Sequence, residues 1–213
     1  MTRRATPIAV LISGRGSNFE ALHQATEEGR LPARIVLVLS NVASAAGIEH
    51  ARSLGLHTAV VPSRGAESRA AHEVRVREEI EQSGAEWICL AGYMRLLSEE
   101  FVAAFPNRIL NIHPSLLPSF PGLDVQQAAL DHGVRISGCT VHLVDAGLDS
   151  GPIVGQRAVD VRSGDDAASL ARRILRQEHE LYADALGRLL TEDWRIEGRR
   201  VLFGPEAGVE RAD

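Results

Sequence analysis

The chain has 213 residues, 45% of them hydrophobic and 24% charged, proportions of one ordinary globular domain that argue against disorder or a membrane protein. Its formal net charge of −5 disfavours a nucleic-acid partner held by bulk charge, and no apolar run approaches the roughly 20 residues that span a bilayer. All 23 basic residues are arginine. Without lysine there is no Schiff-base chemistry, so pyridoxal phosphate enzymes are excluded, as is the lysine-bearing phosphate loop of ordinary ATP and GTP hydrolases. Two cysteines, Cys89 and Cys139, stand alone in apolar segments without metal-ligand spacing. Reduced thiols, a cytoplasmic location, no signal peptide and no metal are the expectation.

The first half alternates between short apolar runs and helical stripes. Ile8–Ile12 reads as a buried strand that runs into the glycine loop Ser13–Asn18 and then a helix from Phe19 to Gly29. A second strand covers Ile35–Leu39, apolar on both faces as a parallel strand should be, and a helix follows from Ser44 to Leu54. Thr58–Val61 is a third strand, Ser68 opens a polar helix to about Gln82, and Trp87–Ala91 is a fourth strand. A short helix near Ser98–Phe105 leads to a fifth strand, Arg108–His113, stopped by Pro114. Strands and helices alternating at these lengths predict a single-domain, Rossmann-like α/β fold with a mostly parallel sheet and helices on both faces.

After Pro114 the pattern changes. A proline-rich loop precedes a short helix at Asp124–His132, and two β segments, Arg135–Val144 and Ile153–Val161, flank a glycine-rich turn. Asp165 or Asp166 is placed to cap a long helix from Ala167 to about Leu190. The remainder, from Thr191, reads as a short tail containing Trp194 and Phe203 that forms a small hairpin or stays mobile. There is no internal repeat or linker, so residues 1–213 form one domain on this reading.

Chemistry is expected at the carboxyl ends of the strands. Backbone N–H groups at Gly14, Gly16, Ser17 and Asn18, at the mouth of a helix, suit an anion, and the short loop fits a phosphate monoester better than a pyrophosphate. A tight turn that merely needs glycine would look the same. Asn111 and His113, two apart at the end of the fifth strand, share a face. They would pair an oxyanion-holding amide with a proton-moving imidazole, or else cap the strand and satisfy backbone groups. A carboxylate from the Asp145–Asp149 turn would orient His113 and favour its charged form, in a solvent-accessible cleft. Arg95, at the end of the fourth strand, suits a carboxylate ligand. Arg69 and Glu178, taken alone, read as solvated helix residues.

Four segments are familiar together: Ile12-Ser13-Gly14-Arg15-Gly16-Ser17-Asn18, Leu90 through Leu97, Asn111-Ile112-His113-Pro114-Ser115-Leu116-Leu117-Pro118, and Asp149-Ser150-Gly151-Pro152. The chain resembles the folate-dependent formyltransferases, and among them the glycinamide ribonucleotide transformylases (phosphoribosylglycinamide formyltransferases), from about Pro7 to Leu190. The resemblance implies transfer of the formyl group of 10-formyltetrahydrofolate, as co-substrate, to the amine of glycinamide ribonucleotide in purine synthesis. It places Gly16, Ser17 and Asn18 on the phosphate of that ribonucleotide and Glu178 on its amine. Arg69, Met94, Arg95, Leu96, Leu97 and Asn111 would line the folate site, and Asn111, His113 and Asp149 would be catalytic. His142 would support them from behind. The family usually has a histidine where this chain has Asp124. Partners are these small molecules, with no nucleic acid or membrane, acting as monomer or homodimer. A formyltetrahydrofolate hydrolase would carry an extra N-terminal domain, a methionyl-tRNA formyltransferase a C-terminal one, and a non-catalytic phosphate-binding module is the alternative of another class.

Overall fold

The structure, a computed structural model, describes residues 5–63, 65 and 67–204. Residues 1–4 and 205–213 of the expected single domain lie outside the described residues. In chain order the elements are β1 (Thr6–Ile12), α1 (Ser17–Glu27), β2 (Ala33–Ser40), α2 (Ala46–Ser53), β3 (Thr58–Val60), α3 (Arg69–Ser83), β4 (Trp87–Leu90), α4 (Glu99–Ala104) and β5 (Ile109–His113). They continue with α5 (Val125–Asp131), β6 (Ile136–Leu143), β7 (Ile153–Asp160), α6 (Ala167–Thr191), β8 (Trp194–Glu197) and β9 (Arg200–Phe203). The predicted elements are all present, with ends shifted by a residue or two.

One sheet runs β3-β2-β1-β4-β5-β6-β7-β9-β8. The pairings among β3, β2, β1, β4 and β5 are parallel, and β6 and β7 add antiparallel strands. Alternation along β1 divides the core. Ile8, Val10 and Ile12 pack with Phe19 and Leu22 of α1, Ile48 of α2 and Tyr182 of α6, while Ala9 and Leu11 pack with Val76 and Ile80 of α3 and Phe101 of α4. Helices therefore cover both faces, which is why the parallel strands are apolar on each side.

The strand order reverses between β1 and β4, so the loops after these two strands diverge and open a crevice at their carboxyl ends. Ser13 ties that crevice together. Its N–H donates to the Gly92 carbonyl at 3.0 Å, its hydroxyl donates to Asn41 Oδ1 at 2.5 Å, and the same oxygen accepts from the Met94 N–H at 2.8 Å. Tyr182, fully buried on α6, places its hydroxyl 3.0 Å from the carbonyls of both Leu90, the last residue of β4, and Leu110, within β5.

Asp166, not Asp165, caps α6: its carboxylate accepts from the Ser169 N–H, and Ser169 answers the Asp166 N–H, satisfying two of the helix's free donors. The chain after α6 is a hairpin, β8 with β9, and β9 pairs with β7 through Ile153 and Arg200, so it extends the sheet. Among the described residues, no helix is long and apolar enough to cross a membrane.

Candidate active site

The first site component is the mouth of α1. Gly16 takes the N-cap position with a left-handed φ of 81°, and no side chain caps the helix. The first N–H groups of α1 are thus left for an anion, which the helix dipole also favours. Gly16 is pressed against Gly47 of α2. A Cβ on Gly16 would stand 3.0 Å from Gly47 Cα, and a Cβ on Gly47 would stand 2.6 Å from Ile12 Cδ1. Only paired glycines permit that approach, and the Gly47 N–H donates to the Gly14 carbonyl at 3.1 Å to hold it. Gly14, by contrast, has open space where a side chain would be.

Asn18, in the first turn of α1, points inward. Its amide donates to Glu178 Oε2 at 2.7 Å, and both residues are buried. Asn18 Oδ1 is buried with no hydrogen-bond partner, an orphan of the kind a ligand donor satisfies. Burial pushes the Glu178 carboxyl above the usual range, and the Asn18 amide offsets this only in part.

The second component stands on β5 and its neighbours. Asn111 and His113 alternate with the core residues Leu110 and Ile112, so they share the face opposite α6. Asn111 lies directly across from His142 in the antiparallel β5–β6 register. His142 Nδ1 donates to the Leu143 carbonyl at 2.9 Å, which leaves its Nε2 to accept one amide hydrogen of Asn111 at 3.1 Å. The second amide hydrogen of Asn111 remains for a ligand. His113 Nε2 is 2.9 Å from the Phe120 carbonyl, which can only accept, so that nitrogen carries a proton. His113 Nδ1 lies 3.4 Å from Asp149 Oδ2, a contact attractive only when Nδ1 is protonated too.

Asp149 is built into a turn that its neighbours fix. It has a left-handed φ of 49°. Asp145 Oδ1 accepts from the Gly147 N–H at 3.1 Å and the Ser150 hydroxyl at 2.6 Å, and a Cβ on Gly151 would fall 1.9 Å from the Leu143 carbonyl oxygen. Burial pushes the Asp149 carboxyl up, but the Gly122 N–H at 2.9 Å and the charge of His113 3.4 Å away outweigh it, and the carboxyl is held below the usual range. The expected solvent-accessible cleft needs correcting. His113 is 5% exposed and the Asp149 side chain 11%, because the loop after β5 folds over them.

The residues expected at a folate site are less gathered. Met94 and Leu96 project into solvent at 65% and 61% exposure beside the crevice, and Leu97 packs into the α3–α4 side of the core. Arg95 reaches across to the Ser63 hydroxyl at 2.6 Å. Arg69 opens α3 and is exposed. Asp124 begins α5 with a left-handed φ of 53° and makes no side-chain cap. Both cysteines are buried, which pushes each thiol up to about 12, so neither is a nucleophile near neutrality.

Among the described residues no group of three or more His, Cys, Asp or Glu side chains is placed to hold a metal ion. Sequence reasoning missed Ser13 and Gly47, whose roles depend on which loops meet, and Phe120, which acts through its backbone.

The family model for formyl transferases matches residues 6–186. This chain belongs to the formyl transferase family. Phosphoribosylglycinamide formyltransferase of Escherichia coli K12 is 38% identical over 192 residues, which is 90% of this chain and 88% of that protein. The trifunctional purine biosynthetic protein adenosine-3 of Drosophila pseudoobscura is 46% identical over 184 residues, 85% of this chain and 14% of that protein. The chain thus spans only a small part of the trifunctional relatives it matches. Among solved structures, glycinamide ribonucleotide transformylase 1 of Symbiobacterium toebii superimposes with a TM-score of 0.91 at 47% identity, covering 94% of this chain and 95% of that one.

Proposed function

We propose that this formyl transferase moves the formyl group of 10-formyltetrahydrofolate to the amine of glycinamide ribonucleotide, as a cytoplasmic enzyme of purine synthesis without a metal, acting as monomer or homodimer. The observation that carries this reading is the pairing of an uncapped α1 mouth with a buried Asn18–Glu178 contact at the same carboxyl edge that holds Asn111, His113 and Asp149. A phosphate on Gly16, Ser17 and Asn18 and an amine on Glu178 describe the two ends of one acceptor molecule. Met94 and Leu96, apolar and open to water, suit a flat ring system, with Leu97, Arg69 and Arg95 beside it and Arg95 toward an acidic tail.

Each chain residue then has a task. Glu178 holds the amine. The free amide hydrogen of Asn111 and the positive charge of the His113 ring stabilise the negative oxygen that develops on the formyl carbon. Asp149 keeps His113 charged and orients a water that takes a proton from the amine to the departing folate nitrogen. The amine nitrogen gains the carbon as the folate nitrogen loses it, so no covalent enzyme intermediate is needed.

The test is the absorbance of folate product with and without glycinamide ribonucleotide. Product formed only with the acceptor supports transfer. Product formed equally fast with water alone makes the chain a hydrolase, and no product in either case leaves a binding module.

A further inference from the structure

The loop after β5 contains an unusual backbone. Phe120, Gly122 and Asp124 all have left-handed φ values, 53°, 87° and 53°. Glycine adopts this conformation freely, but for a bulky aromatic residue it is an outlier that the surroundings must enforce. Here the enforcing contacts are visible. The Phe120 ring meets His132 edge-on with centroids 5.3 Å apart and packs on the core. Ser115, wholly buried, donates toward the Ser119 carbonyl at 2.6 Å and the Phe120 carbonyl at 3.0 Å.

The result of the twist is that successive backbone groups face the two members of one pair. The Phe120 carbonyl accepts from His113 Nε2 at 2.9 Å, and two residues later the Gly122 N–H donates to Asp149 Oδ2 at 2.9 Å. We propose that Phe120 is a positioning residue whose left-handed backbone fixes His113 with its Nε2 proton on the Phe120 carbonyl and its Nδ1 edge toward Asp149. This rests on the reading of His113 as a group that acts on the formyl oxygen.

The alternative arrangement shows why the carbonyl matters. If Phe120 relaxed to a right-handed conformation, its carbonyl would turn away from the ring. A neutral His113 would then satisfy Asp149 by moving its single proton to Nδ1, leaving Nε2 bare. With the carbonyl in place, two acceptors face two ring nitrogens, an arrangement matched only by a ring protonated on both. The ionisable groups facing this pair are Asp149 from the β6–β7 turn and, through it, His142 of β6.

The test is a series at one position: Phe120→Asn and Phe120→Gly, which tolerate the left-handed backbone, against Phe120→Leu and Phe120→Val, which keep apolar bulk but resist it. Nitrogen-15 shifts of the His113 ring report its protonation pattern directly, pH–rate profiles report activity, and circular dichroism reports folding. Phe120→Val is expected to lose the Nε2–H signature and about 10–100-fold in kcat with little change in KM, and its fall in activity with rising pH should come earlier. Phe120→Asn should restore the signature and most of the rate. An activity order that follows apolar size, with Leu best and Asn and Gly worst, overturns the proposal, as does an unchanged ring signature in Phe120→Val. Should Phe120→Val fail to fold, the ring signature and rate of Phe120→Asn decide alone. Absent formyl transfer by the unaltered protein would sink the functional reading and leave the ring measurement standing by itself.

Discussion

Asn18 of α1 donates its amide to Glu178 of α6 at 2.7 Å, joining the two helices at the mouth of the sheet. The contact leaves a carboxyl in a buried place whose folded pKa lies above its unfolded value. A raised carboxyl contributes stability that is present below the unfolded pKa and lost as pH rises through the folded one. Glu178→Gln should therefore melt higher than the unaltered protein at pH 7, by about 2–4 °C for each kcal/mol relieved, with the gap closing toward pH 4. The same variant should bind glycinamide ribonucleotide more weakly, since a neutral amide replaces a carboxylate. Melting curves across pH and acceptor titrations check both, and a lower melting point at pH 7 would show that the buried acid is not a burden.

The phosphate assignment predicts that Ser17→Ala and Asn18→Ala weaken the acceptor and spare the folate. A hydrogen bond to a charged group contributes roughly 1.5–3 kcal/mol, a factor of about 10–150 in affinity. Calorimetric titration of each ligand against each variant decides it, and unchanged acceptor affinity in both variants removes the cradle.

Gly47 touches no proposed ligand, yet it should matter. A Cβ there would stand 2.6 Å from Ile12 Cδ1 and 3.1 Å from Gly16 Cα. Gly47→Ala is expected to cost about 1–3 kcal/mol of stability through overpacking and to raise KM for the acceptor more than for the folate. Equal effects on both substrates would mean that the glycine contact supports the sheet alone.

His113→Ala should lower kcat by about 10²–10⁴, the usual contribution of a proton-moving or oxyanion-stabilising group. Asn111→Ala should lose about 10²–10³ through its single free amide hydrogen. Steady-state kinetics with both substrates saturating test this. A His113→Ala enzyme at full speed would return His113 to the role of a strand-end residue.

Asp149→Asn keeps the shape and removes the charge. The His113 cation loses its partner, so activity should fall away at lower pH than in the unaltered enzyme. Stability follows a separate sign. The folded carboxyl is held below its unfolded value, so its contribution is present above that value and lost as pH falls through the folded one. The variant should melt lower at neutral pH, with the difference shrinking as pH falls below the ordinary carboxylate range. A pH–rate profile identical to that of the unaltered enzyme would make Asp149 a turn residue only.

Much of this was legible in the sequence because it is local. The strand–loop–helix at Ile12 to Phe19 marks a candidate anion site, and the spacing of Asn111 and His113 puts them on one face. The stop at Pro114 puts that face at a strand's carboxyl end. Glu178 was not legible from its surroundings, since a lone acid in a helix looks solvated; the resemblance supplied it, and burial against Asn18 explains it. The Asn111–His142 contact depends on the register of two antiparallel strands 31 residues apart, which no short pattern encodes. Phe120 was invisible because a left-handed aromatic runs against every local preference. The tail was readable only as a hairpin or a mobile end, and its place beside β7 was not readable at all.

That hairpin reaches further than the sheet edge. The Arg199 guanidinium donates to the Asp149 carbonyl at 3.3 Å, and the Arg199 carbonyl accepts from the Ile153 N–H at 2.8 Å. Arg199 thus braces the turn that carries the proposed catalytic carboxylate, although it lies beyond the matched segment, which ends at residue 186. A protein cut after Leu190 would keep every named site residue and lose the brace. For anyone grafting this unit into a larger polyprotein, the boundary that keeps this brace lies past Phe203, not where the shared family segment stops.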